Sequence, residues 1–308
     1  MNRYHVSSSV RFDDTNLVGA SKKNRALPLW SVGGKWDINK EFFLRDVNWL
    51  SNLAFRITYG KAGVSPSGGF GSQSPVISIG SVDFNTQLPT GSISIPQNPE
   101  IKWETTSTFN YALDYGFFNN RLRGSVDFYY KKTEDILVNL PFNPTYGWSF
   151  VNYNTGTLKG HGVDLSLSGT IINTAFKWNS TFNFSYNTNE VTDSRFKATT
   201  TNQYLSGVTT EGKPIGYIYA YNWAGLDNTG QSTVSKKDGT IVNSTQGIAS
   251  IDKDDLKYMG TTFAPYFGGF MNDFSFKNFR LGVQITYYAG HVFRNTVLQN
   301  YPSYSGVQ

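Results

Sequence analysis

Apolar and polar residues alternate strictly along five stretches of the chain. In 105–117, Phe109, Tyr111, Leu113, Tyr115 and Phe117 share one face, and Thr106, Thr108, Asn110, Ala112 and Asp114 share the other. In 121–131, Leu122, Gly124, Val126, Phe128 and Tyr130 alternate with Arg121, Arg123, Ser125, Asp127 and Tyr129. The same period of two runs through 163–171, 176–187 and 279–287. A period of two places alternate side chains on opposite faces of a β-strand, so each stretch predicts a strand with one apolar and one polar face. Weaker alternation at 4–12, 28–36, 52–59, 217–223 and 264–276 raises the expected number to about ten strands.

The connections are unequal. Three are short, at 117–120, 173–175 and 277–278, whereas polar stretches at 61–104, 134–160, 188–216 and 225–262 are long. Short turns at one end of the strands and long loops at the other are the pattern of outer-membrane barrels. Soluble sandwiches keep most connections short. The strand runs also exceed the roughly 5–6 residues of globular sheets and reach the roughly 9–11 needed to cross a bilayer at a tilt. Aromatics crowd the strand ends, with Tyr115, Phe117 and Phe118 beside one turn and Phe128, Tyr129 and Tyr130 at the far end of the next strand. That placement predicts an aromatic girdle at each membrane interface. Counting strand directions between 176–187 and 264–276 requires an even number of wall strands there. One candidate, 217–223, is visible. Either a second strand lies within 226–262, or 217–223 belongs to an extracellular flap.

Composition agrees with a barrel wall. The 308 residues are 16% aromatic and 16% charged, with 30 Gly and no Cys. The absence of Cys excludes disulfides and Cys-based metal sites. No apolar run is long enough for a transmembrane helix, which needs roughly 18 residues, but alternating strands cross without one. The 27 basic and 22 acidic residues give a net charge of +5. They are scattered, with no basic block to track phosphates, so nucleic acid is not an expected partner. The N-terminal residues lack the apolar core and cleavage site of a signal peptide. Two other readings compete. A soluble all-β binding or hydrolase module would require mostly short loops, and a complete small porin would require an export signal and a terminal aromatic.

No catalytic, cofactor-binding or metal site is predicted, and no cofactor is expected. His5, His161 and His291 have no second His or Cys at ligand spacing. The Gly-rich 60–72 stretch lacks the Gly-Lys-Ser/Thr of a phosphate loop. Asp252, Asp254 and Asp255 offer oxygen ligands for Ca²⁺ but lack the spacing of a binding loop, so a solvated loop is expected. The stretches 227–230 and 236–240 read as turns. Asp114, Asp127 and Asp164 fall on the polar faces of their strands, where Arg121 and Arg123 are placed to pair with them. Tyr146, Trp148 and Tyr153 either stack on sugar rings or pack at the barrel rim, with packing the favoured expectation.

Several segments resemble, in order, one known family. Residues 98–137, with Asn98-Pro99, Lys102-Trp103-Glu104, Asp114-Tyr115-Gly116 and Tyr129-Tyr130-Lys131-Lys132, resemble a barrel stretch of the SusC/RagA-type TonB-dependent receptors. Residues 154–172 are similar to the following strand, with Asp164 where the family usually has Glu. Residues 49–63, 177–191, 212–231 and 258–281 match further segments of the same family.

The resemblance implies an all-β fold, a partial transmembrane antiparallel barrel supplying about ten strands of a 22-strand barrel, with the plug domain absent. It makes 1–308 a single barrel-fragment domain. In the family the signal peptide, plug and TonB-contacting segment lie upstream, and the last strands lie downstream. The implied function is non-enzymatic: TonB-dependent import of glycans, oligosaccharides or peptides across the outer membrane. The implied partners are a SusD-type surface lipoprotein, TonB through the upstream part, outer-membrane lipid and the cargo itself.

Overall fold

The computed structural model of the chain describes residues 3–14, 24, 26–65, 75–98, 100–148, 150–243 and 247–295. It comprises two compact units. One holds residues 1–197, 209–214 and 266–287, the other 198–208, 215–265 and 288–308.

The strands of the first half are β1 (Tyr4–Asp14), β2 (Ala26–Asp37), β3 (Leu50–Val64), β4 (Val76–Val82), β5 (Pro89–Ile95), β6 (Glu104–Phe117), β7 (Leu122–Pro141), β8 (Phe150–Asn173) and β9 (Phe176–Asp193). Those of the second half are β10 (Tyr217–Ala220), β11 (Trp223–Leu226), β12 (Ser232–Ser235), β13 (Ile241–Asn243), β14 (Lys257–Thr261), β15 (Tyr266–Phe276) and β16 (Phe279–Ala289).

Nine of these form one antiparallel sheet in the order β1-β2-β3-β6-β7-β8-β9-β15-β16. Each strand pairs with the next wall strand in sequence, so the sheet is an up-and-down meander with two insertions. Ladder partners project to the same face, and the registers join the predicted apolar faces into one surface. A single row runs Val6, Gly34, Ile57, Tyr111, Phe128, Val163, Tyr186 and Tyr266 across eight strands. Much of this face is open: Tyr59, Phe128 and Tyr130 are 42%, 39% and 57% exposed. A large contiguous apolar surface of this kind marks contact with a non-aqueous medium.

Rings collect at both strand ends. Trp49 packs on Phe117 at a 5.6 Å centroid separation, and Phe117 on Tyr115 at 5.5 Å. At the opposite end Trp30 meets Tyr59 edge-on at 5.5 Å. Phe117 and Phe109 lie about 26 Å apart along β6 at ~3.3 Å per residue, close to the ~25 Å apolar band of outer-membrane barrels.

The structure corrects several expectations about connections. The stretch 134–160 is mostly strand. β7 has 20 residues and β8 has 24, leaving 142–149 as the connection. Both strands continue well past the length a bilayer requires. Within 61–104, β3 continues to Val64 and the separate hairpin β4–β5 follows. Within 188–216, β9 continues to Asp193. The segment 217–223 is not a wall strand. It contributes to β10 and β11, and β9 pairs directly with β15 from Tyr186–Tyr266 to Phe176–Phe276. The strand-direction rule is therefore met with no wall strand between them among the described residues. The sheet has nine strands among the described residues rather than ten.

The second unit is a small water-type module. β10 pairs with β14, and β11, β12 and β13 form a three-stranded sheet. Helix α1 (Thr201–Ser206) starts at a Thr200–Gln203 capping box and stops at Gly207, whose φ of 71° closes the last turn. Val234, Ile251 and Leu256 form its buried centre, covered by Tyr204, Tyr219 and Tyr221. The Tyr217 hydroxyl donates to the Val208 carbonyl at 2.7 Å, and burial pushes its phenol up to about 12. The predicted turns at 227–230 and 236–240 join β11 to β12 and β12 to β13.

Candidate functional site: the polar face of the sheet

The face opposite the apolar band carries the polar half of each alternation. Near its middle the ladder aligns Lys35, Arg56, Ala112, Asp127, Asp164 and Ser185. Arg56 grips Asp114 with two parallel bonds, Nε to Oδ2 at 2.7 Å and Nη2 to Oδ1 at 2.9 Å. The same Nη2 lies 3.3 Å from Asp127 Oδ1, which also accepts from Asn110 Nδ2 at 3.4 Å. Arg56 is on β3 and Asp127 on β7, so the guanidinium reaches across β6. It can do so because the intervening row position is Ala112, which is buried and too short to block the path. The planar fork of arginine suits this bidentate grip.

The expected pairing partners were wrong. Arg121 spends its guanidinium on the Thr170 and Ile171 carbonyls, at 2.8 Å and 2.6 Å. No ion pair joins Arg121 or Arg123 to Asp114, Asp127 or Asp164 among the described residues. The residue that does the pairing, Arg56, stood on the polar parity of the 52–59 alternation, where its partner two strands away was not visible.

A second polar cluster lies at the β2 end near the short turns. Asp37 is met by Lys40 at 2.6 Å, Lys35 at 3.0 Å and His5 Nε2 at 3.2 Å. Glu41 accepts from Arg3 at 2.6 Å, the Tyr4 hydroxyl at 2.9 Å and the Trp36 indole at 3.0 Å. The Trp36 bond, followed by that from Tyr4, holds the Glu41 carboxyl below the usual range.

The motif residues 98–104 have a structural meaning. Residues 98 and 100–103 are not strand, yet they are tied to the outer parts of β7 and β8. Asn154 on β8 accepts from the Lys102 N–H at 3.0 Å and donates to the Lys102 carbonyl at 2.8 Å. Its Nδ2 also donates to the Asp135 carbonyl at 2.7 Å. Asp135 sits in a bulge of β7 with φ of 62°, which an Asp tolerates better than most residues. Gly156, two residues beyond Asn154, faces Val138 and Ile136 so closely that a Cβ would meet Val138 at 2.9 Å. At the next level Tyr129 lies across Gly162, its ladder partner, and closes over the position a Cβ would take. Filling the space over a strand glycine with a cross-strand ring restores the packing that glycine lacks.

The other candidates resolve as follows. The carboxylates at 252–255 are used locally. Asp252 accepts from the Asp254 N–H, and Asp255 from the Asp252 and Lys237 N–H groups. No group of three His, Cys, Asp or Glu residues suited to a metal occurs among the described residues. Tyr146 and Trp148 pack with Phe142, at centroid distances of 5.4 Å for Phe142–Tyr146 and 5.9 Å for Phe142–Trp148. Tyr153 lies on β8 and is partly exposed. His161 packs beside Tyr130, and the His291 backbone forms an isolated bridge to Thr261. The 66–72 part of the Gly-rich stretch is outside the described residues.

A long antiparallel meander with a continuous apolar face, a polar face and aromatic ends defines the wall of an outer-membrane β-barrel. The comparisons give the family. The "TonB dependent receptor-like, beta-barrel" family model matches residues 1–304, and the chain belongs to that family. TonB-dependent receptor SusC of Bacteroides thetaiotaomicron is 32% identical over 201 residues, covering 62% of this chain and 20% of SusC. TonB-dependent receptor P3 of Formosa agariphila is 28% identical over 298 residues, covering 91% of this chain and 30% of P3. A solved RagAB peptide importer structure superposes with a TM-score of 0.75 at 30% identity, covering 94% of this chain and 32% of the matched chain. The chain is thus of SusC/RagA type and its place is the outer membrane. It spans less than a third of the length of these relatives.

Proposed function

We propose that this chain forms part of the wall of a TonB-dependent importer that brings glycans, oligosaccharides or peptides across the outer membrane. Residues 1–308 serve as one stretch of barrel domain, and the 198–208 and 215–265 module is one of its loop insertions. The protein acts by passage and gating and not by covalent chemistry on its cargo. Its working partners are a SusD-type surface lipoprotein and TonB. The observation that carries this reading is the unbroken apolar row across eight strands backed by a polar, ion-paired face. A lipid-facing wall around an aqueous interior requires that arrangement. The likeness to a solved peptide importer supports the peptide arm, and the likeness to SusC supports the same transporter type.

The test is uptake by cells. Disrupting the gene should abolish accumulation of one labelled class, oligosaccharide or peptide, and restoring it should recover uptake only when the proton-motive force is intact. A surface lipoprotein should co-purify with the protein from mild detergent. Unchanged uptake of every oligosaccharide and peptide tested would sink the reading.

A further inference from the structure

We infer that residues 98–104 form a strap that fastens two outer connections into one moving body, and that the side-chain amide of Asn154 is its pin. Beyond the Asp135 bulge, the β7–β8 pair carries the 142–149 connection at its tip. The 65–103 connection, which contains the β4–β5 hairpin, ends in residues 98–103. Between the two, Asn154 does what a neighbouring strand would do. It satisfies both the N–H and the C=O of Lys102, at 3.0 Å and 2.8 Å, with one planar side chain. Only an amide has a donor and an acceptor in that geometry, and a carboxylate or an aliphatic side chain does not. The third bond, to the Asp135 carbonyl at 2.7 Å, fixes the amide's orientation.

Three further ties surround the pin. The buried Asn98 amide donates to the Asn152 carbonyl at 2.7 Å, Glu104 accepts from the Leu137 N–H at 2.9 Å, and Lys102 Nζ meets Asp135 Oδ1 at 2.7 Å. Ile101, between these anchors, is 1% exposed. Residues 98 and 100–103, which lie outside any strand, are therefore tied through Asn98 and Lys102 and buried at Asn98, Ile101 and Trp103. The consequence is mechanical. The β4–β5 hairpin ends at Ile95, three positions before Asn98, so its C-terminal end cannot swing independently of the β7–β8 extension. In an importer, both connections lie at the end of the strands opposite the short turns, where cargo enters. Asn154 is a positioning residue in this scheme and touches no cargo.

The experiment uses the receptor assembled in its membrane. Amide exchange is followed over 98–104, and spin labels at Ser78 on β4 and Thr145 at the hairpin tip report their separation. In the native protein the Glu100 and Lys102 amides should be protected and the distance distribution narrow. Asn154→Ala should speed exchange at Lys102 on the order of ten- to a hundredfold, the cost of leaving buried groups unpaired, and should broaden the distribution. Asn154→Asp should fail to rescue, because it places a carboxylate against two carbonyls, whereas Asn154→Gln should rescue in part. If Asn154→Ala does not assemble, Asn98→Ala, which removes the bond to the Asn152 carbonyl and the local bond from the Glu100 N–H but leaves the Asn154 pin, should broaden the distribution to a smaller degree. Unchanged exchange would overturn the pin. Faster exchange with an unchanged distance distribution would overturn the coupling.

Discussion

The nine-stranded sheet and the module inserted between β9 and β15 obey opposite rules. In the sheet many large apolar side chains are open, with Tyr130 57% and Phe279 79% exposed, while the buried positions include Ala54 and Ala112. In the module the order is the familiar one, with Val234, Ile251 and Leu256 buried at 5%, 6% and 8%. Both regions are β-structure built from the same residue types. The difference lies in the solvent each was selected against. Lipid rewards apolar exposure, and water rewards apolar burial. A protein that alternates between these regimes does so by periodicity. The sheet strands are 11 to 24 residues long and keep a period of two over their bilayer-crossing parts, and the module strands are three to five residues long.

The sharpest way to break this comparison is to place a charge in each region. Ile251→Asp puts an unpaired carboxylate into the module's small core. It should cost at least about 4 kcal/mol and unfold the module. Limited proteolysis should then cut within 215–265 while the barrel keeps its resistance to detergent. A module that stays intact would mean that Ile251 is not core. The counterpart, Leu113→Arg, places a cation midway between Phe109 and Phe117, in the middle of the lipid face. It should cost about 2–4 kcal/mol, read as a fall in the denaturant midpoint of the membrane-inserted protein. No loss would mean that this face does not meet lipid.

Next in size is the polar face. Arg56→Ala leaves Asp114 and Asp127 unpaired in a partly exposed setting. The expected loss is about 1–2 kcal/mol, between exposed and buried ion pairs. Ala112→Leu should produce part of the same loss by blocking the guanidinium's route across β6, and a double variant with Arg56→Ala should be less than additive. Full additivity would show that the two positions are independent.

The smallest effect concerns pH. In the β11–β12 turn the Asp227 carboxyl accepts from the Thr229 hydroxyl and from the Gln231 and Thr229 N–H groups, which hold it at about 2, below its ordinary value of 3.8. Its contribution to the turn is present above pH 3.8 and is lost as pH falls through about 2. Carboxyl NMR should find its midpoint near 2, and a midpoint near 3.8 would remove the turn's claim on that carboxylate.

What was legible in the sequence followed from local periodicity. The runs at 105–117, 163–171, 176–187 and 279–287 lie within strands, because a side-chain period of two needs no information from elsewhere in the chain. The loop lengths were less legible. Residues 134–141 and 150–160 do not alternate cleanly, because the Asp135 bulge shifts the register and the strap provides packing that a periodic face would otherwise supply. The motif residues Asn98, Lys102, Asn154 and Gly156 could be recognised as a pattern, but their roles could not be read from it.

The sequence by itself determined the class of the wall: alternating strands, one apolar face, aromatic ends and short turns on one side. These are properties of residue spacing along a strand, and the bilayer's thickness sets the length. Tertiary structure alone decided the partners. It chose Arg56 rather than Arg121 for Asp114, let β9 pair with β15 across a 72-residue excursion (194–265), and brought the Asn154 amide onto the Lys102 backbone. Each of these depends on register between distant strands, and register is a property of the assembled sheet rather than of any segment within it.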